Sequence, residues 1–329
     1  MTAATPTSGT PTSGPTANPT GDMTETASAT ATDSSDGGQD ETAAVDTEPP
    51  TVLSASPEEG ATGVLADVQI VVTFSEAMDP ATTEAAFSSE DFDVTAATFE
   101  WDGAGSTLTV TPREPLAYAQ GADDDVVPLA YAFSISTDAQ DLAGNGLLDP
   151  LSSSFETARH IQASLERVAS LSGRIRDDGT VSTEFLSMGD DFDNGWSRGL
   201  LTFELDDLPS DVLEWNSAML SAEQTSITCS GFSPDPYPDL GDLVAFDVTF
   251  NVLNVAATEN AGLEIGVFSD SPALEVKSMD VSDEVEADVR AQRTQFLLRF
   301  DIDTDNDENR DCVAFDIETA MLAVDFLAE

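Results

Sequence analysis

The sequence predicts an all-β protein in which a disordered N-terminal tail is followed by two antiparallel β-sandwiches. Three observations predict it. Beyond residue 48, apolar side chains fall on alternate positions in short runs, as strands with one buried face require. Clusters of Gly, Pro, Asn and Asp separate those runs and supply turns. The first 48 residues contain no Leu, Ile, Phe, Trp, Tyr, Lys, Arg or Cys, so they have almost no apolar surface to set against an ordering entropy of roughly 1–2 kcal/mol per residue.

The tail, residues 1–48, is rich in Thr, Ser, Pro, Ala and acidic residues, which reads as an extended linker and fits a glycosylated stalk. The whole chain carries 63 Asp plus Glu against 11 Lys plus Arg, a formal net charge of −52. Lys277 is its only lysine, and no arginine precedes Arg113. Nucleic acid and anionic membrane surfaces are both bound through cations, so neither is an expected partner. A solvated acidic surface is the simple reading of this charge; carboxylate clusters gathered around calcium are the sharper one. No run of eighteen apolar residues is present, so no transmembrane segment is expected. An export signal, such as a lipoprotein signal with its lipid-bearing cysteine, is expected upstream of this sequence.

The first folded domain is expected over 49–158. Val68-Gln-Ile-Val-Val-Thr-Phe74, Ser106-Thr-Leu-Thr-Val-Thr111 and Tyr131-Ala-Phe-Ser-Ile-Ser-Thr137 alternate as strands. Between them lie the turn formers Pro57-Glu-Glu-Gly60, Asp102-Gly-Ala-Gly105 and Ala143-Gly-Asn-Gly146. Phe74 and Phe155 should face the core, and Met78-Asp-Pro80 reads as a turn in which Asp79 accepts backbone hydrogen bonds. Five ordered motifs then carry a resemblance: Glu48 to Pro57, Gly60-Ala-Thr-Gly-Val64, Val72 to Pro80, Asp141-Leu-Ala-Gly-Asn-Gly146 and Ser153-Ser-Phe-Glu-Thr157. This segment resembles the bacterial Ig-like domain of S-layer and other surface proteins. The resemblance implies a spacer or adhesion module without catalytic residues. Gly121-Ala-Asp-Asp-Asp-Val126 looks like an insertion, either a solvated loop or one that holds a cation.

An interdomain segment is expected over 159–169, where Ile161, Leu165 and Val168 share one helical face and suggest a short helix. The second domain is expected over 170–329. Its strand patterns are Gly199 to Leu205, Ala218 to Ala222, Leu243 to Phe250, Gln295 to Phe300 and Ala320 to Phe326. One helix is expected over Val281–Val289, capped by Ser282. The order of Arg198 to Pro209, Trp215 to Leu220, Leu240 to Val244, and Lys277 to Val285 leading into Phe296-Leu-Leu-Arg299 is similar to the DNRLRE-type domain. That resemblance implies a jelly-roll-like sandwich akin to carbohydrate-binding modules, used for attachment or display.

The most conspicuous constellation is Asp301 to Asp311, in which Asp301, Asp303, Asp305 and Asp307 alternate and offer the hard oxygens that calcium prefers. It is not an EF-hand. A loop starting at Asp303 puts Glu308 at the glycine position and Ala314 at the bidentate glutamate, and one starting at Asp301 puts Asn306 and Cys312 there. Structural calcium held by those four aspartates stands beside a merely solvated acidic hairpin. Gly189-Asp-Asp-Phe-Asp-Asn194 is a second acidic loop that can add cation ligands, and Asp193 with Trp196 can offer polar groups beside a stacking ring for a sugar. Cys229 and Cys312 are expected to form one disulfide, with a buried thiol pair as the alternative.

Catalytic classes find no support in these residues. The single histidine, His160, has no second imidazole for zinc and no nucleophile-elbow pattern beside it. Phosphate-binding glycine loops are absent from the sequence, and no motif singles out a carboxylate pair for glycoside hydrolysis. The expected function is a non-catalytic exported cell-surface protein acting as spacer, display or adhesion module, with structural calcium as the one cofactor considered. A carbohydrate-binding protein using the second sandwich is the alternative, and a divergent hydrolase a distant one. Expected partners are surface glycans or other cell-envelope components, with the chain monomeric.

Overall fold

A computed structural model describes residues 46–123, 125–228, 235–259 and 262–329. Most of the tail expected to be disordered, residues 1–45, lies outside the described residues. In chain order the first strands are Val52–Ser56 (β1), Ala61–Val64 (β2), Ile70–Phe74 (β3), Phe87–Ser88 (β4) and Thr98–Trp101 (β5). Thr107–Thr111 (β6), Ala119–Gly121 (β7), Ala130–Ile135 (β8) and Leu151–Thr157 (β9) follow. Two four-stranded sheets form, in the orders β1-β3-β6-β5 and β2-β9-β8-β4. The alternation read in the sequence decides which faces meet. Ile70, Val72 and Phe74 of β3 and Leu108 and Val110 of β6 point inward from one sheet, while Phe133, Ile135 and Phe155 point inward from the other. Phe87 stacks on Phe133 with ring centroids 5.8 Å apart, closing the sandwich at the β4 edge.

The expected turn at Met78 to Pro80 is instead the start of a helix, Pro80–Ala86 (α1). Asp79 accepts a hydrogen bond from Thr82 N at 3.0 Å, and Pro80 occupies the first turn, where its missing N–H is harmless. The side-chain role foreseen for Asp79 is present; the element that it starts is longer than a turn.

The second set of strands begins at Arg159–Glu166 (β10). Gly173–Arg176 (β11), Val181–Ser182 (β12), Leu186–Asp190 (β13), Trp196–Glu204 (β14) and Val212–Ser226 (β15) follow. Leu243–Asp247 (β16), Leu263–Ser269 (β17), Val276–Asp280 (β18), Arg293–Phe300 (β19) and Cys312–Ala328 (β20) complete it. These strands and β7 make one curled sheet with the path β17-β16-β19-β14-β13-β20-β10-β7. Long β20 pairs with β13 through Cys312 to Phe315 and with β10 through Met321 to Ala328, while β15 lies on its other side. Four register shifts along the β15–β20 pair bend the ribbon, because each bulge adds local twist. The sheet thereby folds over a core that includes Phe203, Leu220, Phe296, Phe300 and Phe326.

The expected interdomain helix is β10. Ile161 and Ala163 are buried while Gln162 and Ser164, each the next residue along, are exposed, and Ile161 lies opposite Phe326 in the antiparallel ladder. Positions 161 and 165 satisfy both a helical and a strand period, and the free edge of β20 decides for the strand. No linker therefore separates the two parts: Ala158, fully buried, is the one residue between β9 and β10. Three short helices, Tyr237–Leu240 (α2), Val255–Glu259 (α3) and Ser282–Asp288 (α4), fill gaps among the strands. Of these α4 was expected, but Ser282 does not cap it. It is the first helical residue, and its Oγ accepts Ala218 N at 2.8 Å, tying the helix to β15.

Candidate functional site

A group of buried carboxylates lies where the end of β13 meets the start of β20. Gly189, paired with Cys312, has a φ of +127°. A Cβ at Gly189 would sit 2.0 Å from Asp311 O and 2.7 Å from the Cys312 Cα, so only glycine permits this approach of the two chains. Asp190 N then donates to Asp311 O at 2.8 Å, and Asp311 N returns a bond to Asp190 Oδ1 at 3.1 Å. Two carboxylates are locked side by side as a result, with Asp190 3% and Asp311 0% exposed.

Asp305, from the loop between β19 and β20, completes the group: one carboxylate oxygen from each of Asp190, Asp305 and Asp311 lies within 4.8 Å of the others. Asp190 Oδ2 and both carboxylate oxygens of Asp311 are buried without a hydrogen-bond partner. Burial and the charges of Asp190, Asp307, Asp305 and Asp239 push the Asp311 carboxyl up to about 6. Burial likewise holds Asp190 above the ordinary carboxylate range. Three arginines nearby pair with other carboxylates. Arg176 and Arg310 both pair with Asp191, whose own burial they outweigh so that its carboxyl stays below the usual range. Arg198 makes a two-pronged pair with Asp303, at 3.0 and 2.6 Å.

Of the four aspartates singled out in the sequence, then, only Asp305 joins this group. Asp303 is held by Arg198, Asp301 accepts Asp242 N at 3.2 Å, and Asp307 folds back to accept Asn309 N at 2.7 Å. Asp190 and Asp311 were visible within the two acidic runs, but the register that joins them was not. A second acidic group, Asp46, Glu76 and Asp141, differs in kind. The Asp141 carboxylate there is satisfied by Ala143 N, Asn145 N and Asn145 Nδ2, each at 2.8 Å.

Trp196 opens β14 opposite Asp190, and one face of its ring is covered by the Arg198 guanidinium, 4.3 Å from the ring centroid. Asp193 lies exposed in the intervening turn. His160 Nε2 is 2.7 Å from Asp325 Oδ1, a carboxylate that also accepts from Gln162 and Asn216. Cys312 is buried at the start of β20; Cys229 lies outside the described residues, and so does Asp124 of the 121–126 loop.

Comparison with known proteins bears on the first sandwich. A family model described as the bacterial Ig-like domain matches residues 46–157. Over those residues the chain is similar to that domain. The match ends at the last residue of β9, one residue short of β10. No curated protein matches the sequence. Among solved structures, an L,D-transpeptidase from Mycobacterium smegmatis is 13% identical, covering 66% of this chain and 73% of that one, with a TM-score of 0.24. The LD transpeptidase LdtMt1 in complex with imipenem is 16% identical, covering 62% of each chain, with a TM-score of 0.22. Surface layer protein SbsC, domains 1–6, is 16% identical, covering 71% of this chain and 41% of that one, at 0.24. Likenesses at these scores assign neither fold nor activity.

Proposed function

We propose that the chain is a non-catalytic, exported cell-surface module that acts as a spacer or display element, with the second sandwich a DNRLRE-like jelly roll. The observation that carries this reading is the joint between the sandwiches. The Ig-like domain passes into the second sheet through Ala158 alone, β7 pairs with β10 in parallel, and Thr62 Oγ1 donates to Glu329 Oε1. Backbone ladders that run across a domain junction hold two sandwiches in one orientation, which suits a part whose task is to hold something at a fixed place. The acidic surface keeps such a module from adhering to like-charged envelope polymers. No helix among the described residues is long and apolar enough to cross a membrane, so attachment falls to the tail side or to a partner.

Antibody labelling of intact, unpermeabilised cells tests the location: staining without permeabilisation is the expected result, and signal only after permeabilisation overturns the reading. Export also implies oxidation of Cys229 with Cys312. Intact mass of the native protein should rise by two hydrogens on reduction. A glycan array decides between display and sugar binding, since saturable binding lost in Trp196→Ala identifies a sugar reader.

A further inference from the structure

We infer that Asp190, Asp305 and Asp311 form a binding site for one divalent cation of calcium's class, seated where β13 meets the start of β20. The inference goes beyond the display reading, because the site belongs to the second sheet's own construction and holds whether or not the chain displays anything. Its ground is the set of buried oxygens. Asp311 is wholly buried with both carboxylate oxygens unpartnered, and Asp190, nearly as buried, leaves Oδ2 unpartnered. Native proteins rarely leave such atoms unmatched, and two adjacent buried carboxylates without a cation are among the most unfavourable arrangements available.

The protein could neutralise them with arginine and does not. Arg176 and Arg310, which line one recess with Asp190, are both turned to Asp191, and Arg198 to Asp303. The residues that raise negative potential at Asp311 are Asp190, Asp307, Asp305 and Asp239, from four separate positions of β13, the 301–311 loop and α2. A cation from outside the chain would match the carboxylate oxygens that these pairs leave unpartnered. Oxygens all within 4.8 Å of one another fit around one centre with bonds of about 2.4 Å, the calcium–oxygen distance. Donors are carboxylates alone, without His or Cys, which favours a hard cation over zinc or copper. Three carboxylates leave the remaining positions of a six- to eight-coordinate ion to backbone carbonyls and water.

The ion would clamp the 301–311 loop, through Asp305, onto the β13–β20 ladder. The full chain, stripped with chelator and held in about 0.15 M salt to screen loose surface binding, is titrated with calcium by calorimetry and with terbium by luminescence excited through tryptophan. Trp196 lies opposite Asp190 in the ladder and is placed to sensitise a bound lanthanide. One saturable site is expected, with terbium displaced by calcium and a melting temperature raised by about 4 °C or more in millimolar calcium. Asp190→Asn and Asp311→Asn should each weaken binding by more than the ~10–100-fold that loss of an outer partner costs at a metal site. In chelator, Asp311→Asn should melt no lower than the parent, since a buried like charge is gone. The double variant Asp301→Asn, Asp307→Asn should bind as the parent does. Absence of a saturable signal in the parent chain overturns the proposal, and this measurement needs no variant to fold. A response that survives Asp190→Asn and Asp311→Asn but is lost in the double variant moves the ion to the loop tip and overturns it as well.

Discussion

Asp247 closes β16 with its side chain partly buried and no cation opposite it. Burial first, and then the charges of Asp288 and Glu284, push its carboxyl up to about 6 from an ordinary value of 3.8. An acid whose folded pKa lies above its unfolded value favours folding most below the unfolded pKa, near pH 4, and that contribution is lost as pH rises through 6. A shift of this size corresponds to at most about 3 kcal/mol, less what partial solvation removes. Asp247→Asn should therefore stabilise the protein by about 1–2 kcal/mol at pH 7.5 and by almost nothing at pH 4; urea unfolding at the two pH values measures it, and an equal effect at both refutes the electrostatic origin. Asp79 is the opposite case, an acid whose position is favourable. Its bond to Thr82 N opens α1, so Asp79→Ala should cost about 1 kcal/mol in the same assay. The two aspartates also differ in legibility. A capping residue acts on neighbours three positions on, and its role could be read from Met78-Asp-Pro80; the partners of Asp247 come from α4, which only the folded chain brings near.

Elements repeat that contrast between local and distant causes. Strands such as β3, β6 and β8 could be read because each buries one face and alternates cleanly. β10 was misread as a helix because Ile161 and Leu165 satisfy two periods at once, and the deciding partner, Phe326, lies at the other end of the chain. β13 escaped notice for another reason: all five of its residues are buried, but the run Leu186-Ser-Met-Gly-Asp190 holds only two large apolar side chains, too short an alternation to single out. Yet this strand sets the acidic site. The sequence displayed both acidic runs, and the loop 301–311 was rightly seen as dense in carboxylates, but which of them converge depends on the pairing of Gly189 with Cys312. Gly189→Ala tests that dependence. Its Cβ would meet Asp311 O at 2.0 Å, and backbone cannot yield as a side-chain tip can, so a loss of about 3 kcal/mol or more is expected. Thermal unfolding against Gly179→Ala, at a turn where nothing lies within 4 Å, separates the clash from the cost of a positive φ.

On the scale of the whole molecule, two features act on stability in opposite senses. The junction through Ala158, the β7–β10 pairing and the contact of Thr62 with the Glu329 carboxylate couple the sandwiches, so heat should unfold them in one transition, not two. A net charge of −52 spread over 329 residues works against the compact state, because carboxylates brought together on folding repel one another more than they do in the extended chain. That repulsion is long-ranged at low salt and screened within about 8 Å near 0.15 M. The melting temperature should therefore climb by several degrees between about 10 mM and 0.5 M sodium chloride, most of it below 0.15 M, where the Debye length changes fastest. Calorimetry in the presence of chelator isolates this effect from any bound cation. The shape of the curve carries the argument. A single peak that moves with salt fits coupled sandwiches sharing one repulsive field, whereas two peaks, of which only one moves, would mean that the junction transmits no stability and that the charge acts on one sandwich alone.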